Sequence, residues 1–186
     1  KGLAAVPDPS ALFITRRDSN PPAGVACVPV FEGSRVFVVE IQALTVPAKG
    51  AINRVYSEKI DSARVSRVAA VIEKRAGIKF SDQDIYINVA GGVRLTESAI
   101  DAALAAALYS ARTDIALPPK SVVLGELSLA GEIRPVSKLR QRVKTSADMG
   151  MLNIVVPEKE FFSGNARIVA VDSIKALLKE VFLAGK

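Results

Sequence analysis

The chain has 186 residues, enough for one domain or one domain with a small appendage, and 49% of them are hydrophobic. Twenty-five Lys and Arg stand against nineteen Asp and Glu, a formal charge of +6 and a pI near 9.6, with no histidine and one cysteine. Those counts exclude Ser-His-Asp triads, Cys-His dyads, histidine or structural zinc sites and an internal disulfide; of the common hydrolytic mechanisms, Ser-Lys is the main survivor.

The basic balance points to an anionic partner, nucleic acid foremost. No apolar run reaches the length of a membrane span, and no charged-then-apolar leader opens the chain. Together with the single cysteine, this sets the expectation of a soluble cytoplasmic protein. Cys27 lies in the β-like run VACVPVF and reads as a small buried apolar residue.

In chain order, residues 1–23 read as irregular, with a Pro-Pro pair, a glycine and mixed charges in TRRDSNPPAG. Residues 24–186 read as one folded domain. It opens with two apolar runs, 25–31 and 36–46, joined at Glu32-Gly33-Ser34-Arg35 as a hairpin. Residues 46–51 are expected to be a loop. A helix is predicted over 60–76, with Val65, Val68, Ala69 and Ile72 at helical spacing and Gly77 as its C-cap. DIYINV (84–89) alternates as a strand, and Ala90-Gly91-Gly92 turns the chain. Thr96 is placed to cap the next helix, with Glu97 in its first turn. Ile100, Ala103, Leu104, Ala107 and Leu108 form its buried face, and its alanines allow close packing against a sheet or another subunit. Strands are predicted over 121–129 and 132–136, then a helix from a Ser137 cap to about Met149, a strand over 153–156, and a final amphipathic helix marked by Ile174, Leu177, Leu178 and Val181. The class is α+β.

The ordered motifs PSALFITRR, VEIQALTV, DIYINVAGG, VAGGVRLTE, GELSLAGEIRPV and NIVVPE resemble a known family. The chain is similar, from about Pro7 to Phe182, to the Lon-protease-like C-terminal domain of the bacterial RadA (Sms) recombination ATPases. The resemblance implies a single Lon proteolytic-type domain, of the ribosomal protein S5 domain 2-like class. It also implies a role in DNA repair and recombination, contact with DNA, and assembly into a ring, commonly of six subunits. The zinc-binding head and ATPase core of such proteins leave no CxxC pair and no phosphate loop in this sequence, so no cofactor is expected here.

The same resemblance locates the protease dyad. The nucleophilic serine's position is Ala99 and the lysine's is Arg140. Alanine offers no nucleophile, and arginine stays protonated where a buried lysine can act as a base. No enzymatic activity is therefore expected of this domain. The competing reading is a shifted dyad of Ser98 and Lys138, although helical geometry rotates each away from the required direction. A purely structural ring scaffold is a third reading.

Basic residues cluster. Residues 51–80 carry Arg54, Lys59, Arg64, Arg67, Lys74, Arg75 and Lys79 against Glu58, Asp61 and Glu73, with Arg64, Arg67, Lys74 and Arg75 forming a ridge beside the apolar stripe. Residues 131–150 carry Arg134, Lys138, Arg140, Arg142 and Lys144 against Glu132 and Asp148. The resemblance selects Arg54, Arg64, Arg94 and Arg134 as the DNA-binding set. With only 5% aromatic residues and no groove-reading motif, binding is expected to be to phosphates, sequence-independent and salt-sensitive.

Overall fold

A computed structural model describes residue 14 and residues 20–160, 162 and 164–183. The expected irregular segment 1–23 lies outside these apart from residues 14 and 20–23. The chain runs β1 (Val25–Glu32), β2 (Arg35–Pro47), β3 (Val55–Ser57), α1 (Ser62–Ala76), β4 (Gln83–Val89), α2 (Asp101–Thr113), β5 (Ser121–Val123), β6 (Glu126–Leu127), β7 (Ile133–Arg134), α3 (Leu139–Asp148), β8 (Asn153–Val156), β9 (Arg167–Ala170) and α4 (Ile174–Leu178), which continues as a π-helical turn over Lys179–Leu183. Seven strands make one mixed sheet in the order β3-β4-β2-β1-β5-β8-β9. The pairs β1–β2 and β2–β4 are antiparallel, and the remaining pairs are parallel. β6 and β7 form a separate two-stranded ribbon. The result is a single α/β domain consistent with the α+β expectation.

Strand alternation assigns the two faces of the sheet. Ala26, Val28, Val39 and Ile41 share one face and are fully or nearly buried. Helix α2 packs there, with α1 and α4 against it. From Ala102 to Leu108 no residue of α2 has measurable exposure. The alanine run thus serves close packing inside this chain: methyl groups let the helix axis approach sheet and helices on all sides. The opposite face carries Phe31 and Val38 and is met by α3 over the β1–β2 hairpin. Farther along, the residues of this second face on β2, β4 and β3 carry no helix among the described residues.

α1 behaves as its spacing predicts. Val65, Val68, Ala69, Val71 and Ile72 are buried, Asp61 accepts from the Ala63 N–H, and Gly77 closes the helix at φ 74°. The helix starts at Ser62 rather than at 60, because the Asp61 side chain satisfies a first-turn donor. α2 differs more. A 3₁₀ turn, Ser98–Ile100, precedes it, and Thr96 caps nothing. The first-turn N–H of Ala102 instead donates to the Gly125 carbonyl at 3.0 Å.

The strand expected over 121–129 is broken for the same reason. At Gly125 the chain leaves β8's partner strand, donates its N–H to the Ala99 carbonyl, and restarts as β6. A side chain at Gly125 would collide with Ile133 Cγ2. The strand over 132–136 shrinks to β7, β2 runs on to Pro47, and β3 and β9 are additional, each short and paired on the sheet's rims. Ser137 does not cap α3. Its carbonyl accepts from Arg142 Nε at 2.8 Å, and Lys138 precedes the helix in a left-handed conformation at φ 54°.

One buried carboxylate joins these parts. Asp101, 2% exposed, receives Arg64 Nη1 at 2.6 Å and the Leu127 N–H at 3.0 Å. It lies in the first turn of α2, where a negative charge also favours the helix. Removing it strands a largely buried guanidinium and a buried N–H, so Asp101→Ala is expected to cost about 3 kcal/mol in chemical denaturation.

Glu73 makes a second link. Its carboxylate accepts the N–H groups of Phe80 at 2.6 Å and Ser81 at 3.0 Å, and these bonds hold its pKa below the ordinary 4.5. The stabilisation is complete above that ordinary value and is lost as pH falls through the lowered one. The stability gap between the wild-type chain and Glu73→Gln should therefore be constant near neutrality and shrink in denaturation series taken below about pH 4.5.

Candidate nucleic-acid interface

The segment between β4 and α2 organises the basic surface. After Val89 the chain makes a 3₁₀ turn at Ala90–Gly92, with Gly91 at φ 75° and Gly92 at φ 68°, a geometry that glycine adopts without steric cost. It then runs to the turn at Ser98. The loop before α1 holds it in place. The Leu95 N–H donates to the Lys59 carbonyl at 2.8 Å, and Arg94 Nη1 donates to the Glu58 carbonyl at 3.1 Å. Arg94 is exposed and anchored through one guanidinium nitrogen.

The other three arginines differ in placement. Arg54 is exposed at the entrance to β3, where its backbone N–H donates to Asp84 Oδ1 at 2.8 Å. Arg134 is exposed on β7, opposite Glu126 on β6. Arg64 is turned inward: its side chain retains 18% exposure and is engaged by Asp101 and, at 3.4 Å, by the Thr96 carbonyl. The ridge expected along α1 is therefore carried by Arg67, Lys74 and Arg75, which are exposed. The Arg75 stem also packs under Gly131.

The dyad positions hold groups with separate partners. Ala99 is 4% exposed. The Arg140 side chain is 82% exposed and donates from Nε to Glu160 at 3.0 Å. Ser98 Oγ donates to Glu126 Oε2 at 3.0 Å, while Lys138 Nζ sits 4.8 Å from the centre of the Phe31 ring. The buried cation here is Arg142. It ion-pairs with Glu97, donates to the Pro29 carbonyl at 3.0 Å, and stacks over Phe31 at 4.7 Å. The sequence counted Arg142 only as one of the basic residues clustered over 131–150. Its position two residues from Arg140 and three from Leu139, on an otherwise half-buried helix, was the available signal.

Two tyrosines also escaped the sequence reading. Tyr56 and Tyr86 are register partners on β3 and β4, and their rings stack at 4.7 Å with 15° between planes. Both stay exposed, at 43% and 40%. They lie thirty residues apart in the sequence, and no element was predicted over 55–57. Among the described residues no group of His, Cys, Asp or Glu is arranged to hold a metal ion, and no helix is long and apolar enough to cross a membrane.

Fold and site together define a basic α/β domain with exposed arginines before β3, after the Ala90–Gly92 turn and on β7. Residues 48–160 match the family model described as Subunit ChlI of Mg-chelatase. The chain is 62% identical to DNA repair protein RadA of Treponema pallidum over 84% of its length, 42% identical to that of Brucella abortus over 99%, and 36% identical to that of Streptococcus pneumoniae over 97%. The chain belongs to the family this model describes and to the RadA family of DNA repair proteins. It spans 34%, 40% and 44% of the length of those three relatives.

Proposed function

We propose that this chain is a non-catalytic, DNA-contacting and ring-forming domain of a RadA-type protein acting in DNA repair and recombination. The observation that carries the reading is the exposure of Arg94, just after the Ala90–Gly92 turn, and of Arg134, on the β6–β7 ribbon, in a domain of net charge +6. Arg54 extends the same charge along the rim strand β3. Arg64 acts as a strut, because its guanidinium is committed to Asp101. The names of the relatives support the repair role.

The element order supports a Lon-type domain: hairpin, helix, strand, helix, ribbon, helix, strand. Within it the dyad chemistry is replaced. A buried methyl group at Ala99 and a solvated guanidinium at Arg140 offer neither a nucleophile nor a base. Ser98 and Lys138 are each held by another group. A ring would present the arginine patch once per subunit, so weak phosphate contacts would add through avidity. Multi-angle light scattering reads the ring directly.

The purified chain is expected to bind labelled DNA without sequence preference, with log K falling linearly as log salt rises. Arg94→Ala and Arg134→Ala should each weaken binding for all sequences alike and reduce that slope by about one. Unchanged affinity in a triple Arg54, Arg94, Arg134 variant would overturn the surface. In a peptidase assay with fluorogenic substrates, no turnover is expected; cleavage abolished by Ser98→Ala would overturn the non-catalytic reading.

A further inference from the structure

We infer that Tyr56 and Tyr86 form a stacking platform for the unpaired bases of single-stranded DNA, an inference that rests on the DNA-contacting reading above. The row Leu44–Tyr86–Tyr56 crosses three neighbouring strands on one face of the sheet. All three side chains are well exposed, Leu44 at 57%. The adjacent row carries Gln42 and Asn88, hydrogen-bonded to each other at 2.9 Å. These residues, with Ser57, Glu58 and Lys59, line an open groove of about 710 Å³.

Keeping two aromatic rings and a leucine side by side in water is unfavourable unless something covers them. The charge around the row indicates a polyanion. Arg54, exposed, immediately precedes β3, two residues before Tyr56. Lys59 lines the groove, and Arg94 is tied to the Glu58 carbonyl at its end. Lys59 thus shares the groove with the rings, and Arg54 and Arg94 stand at or beside the segments that border it. The carboxylates nearby are Glu58, which is exposed, Asp84, which is buried against the Arg54 N–H, and Glu40, which is buried and accepts from Gln42. The two rings cover one face of each other, which leaves the outer faces of the pair, at the sheet's rim, for a base, and cations beside them suit a strand whose bases are free. Each base has a π-face to stack, and the phosphates follow the basic rim. A duplex keeps its π-faces inside and would use the arginines alone.

The test compares a fluorescein-labelled oligothymidylate of about 20 nucleotides with a duplex of the same length, by anisotropy at fixed salt. Tyr56→Ala and Tyr86→Ala should each weaken oligothymidylate binding about tenfold, Tyr56→Phe should retain it, and duplex affinity should stay within about twofold. The chain has three tyrosines and no tryptophan, so binding should also quench tyrosine emission, and the quench should vanish in the double alanine variant. Near-UV circular dichroism, read through Tyr109 against Phe182, verifies that the variants fold. Unchanged oligothymidylate affinity in folded alanine variants, or equal losses on duplex and single strand, would overturn the platform while leaving the arginine surface intact. A chain whose mass in light scattering halves on Tyr56→Ala with no change in DNA affinity would assign the face to a second copy and overturn the platform. Failure to bind any DNA would remove both readings.

Discussion

The arrangement around α2 depends on the buried carboxylate of Asp101. An unpaired charge at that depth would carry a large desolvation cost, so the fold must bring it donors. It does so from two directions: the Arg64 guanidinium from α1 and the Leu127 N–H from β6. Those bonds fix the separation of α1 from α2 and the point at which the chain leaves the main sheet. The 3₁₀ turn at Ser98 and the ribbon of β6 and β7 follow from them, and so does the outward placement of Arg134. The alanine run of α2 is the steric counterpart: it lets the helix sink far enough to bury its first-turn acid.

The cations near the dyad positions divide by environment. Arg142 is buried because Glu97 neutralises it, backbone carbonyls accept from it and Phe31 offers a ring face; a lysine would match that planar set of partners poorly. Arg140, two residues earlier, faces outward to Glu160. The same helix thus spends one arginine on its own anchoring and leaves another in solvent. α1 repeats the pattern with Arg64 half-buried against Asp101 and Arg67 exposed. Formal charge therefore overstates the surface available to a polyanion, and the exposed subset is what matters for binding.

The sheet has an uneven covering. Helices α1, α2 and α4 occupy one face, and α3 takes only the hairpin side of the other. The antiparallel pairings of β2 with β1 and β4, and the parallel addition of β3, carry the sheet beyond the reach of α3. This extension brings aromatic, amide and cationic side chains together at the rim, next to the loop that anchors Arg94. The rim is thus joined to the arginine surface by backbone bonds rather than by a flexible linker.

The sequence by itself determined the elements whose signals are local. Apolar runs around a turn marked β1 and β2, alternation marked β4, helical spacing and Gly77 marked α1, and the absence of histidine removed whole classes of chemistry. Ala99 and Arg140 were legible as residue identities. Tertiary structure alone decided partners: that Arg64 serves Asp101, that Arg142 rather than Arg140 is buried, that Gly125 breaks a strand by bonding to Ala99 and Ala102, and that Tyr56 meets Tyr86. Periodicity records which side of a segment avoids water, and it is a property of neighbours along the chain. The partner of a charge or a ring is set by segments tens of residues away, whose approach is fixed only when the sheet order and helix packing close.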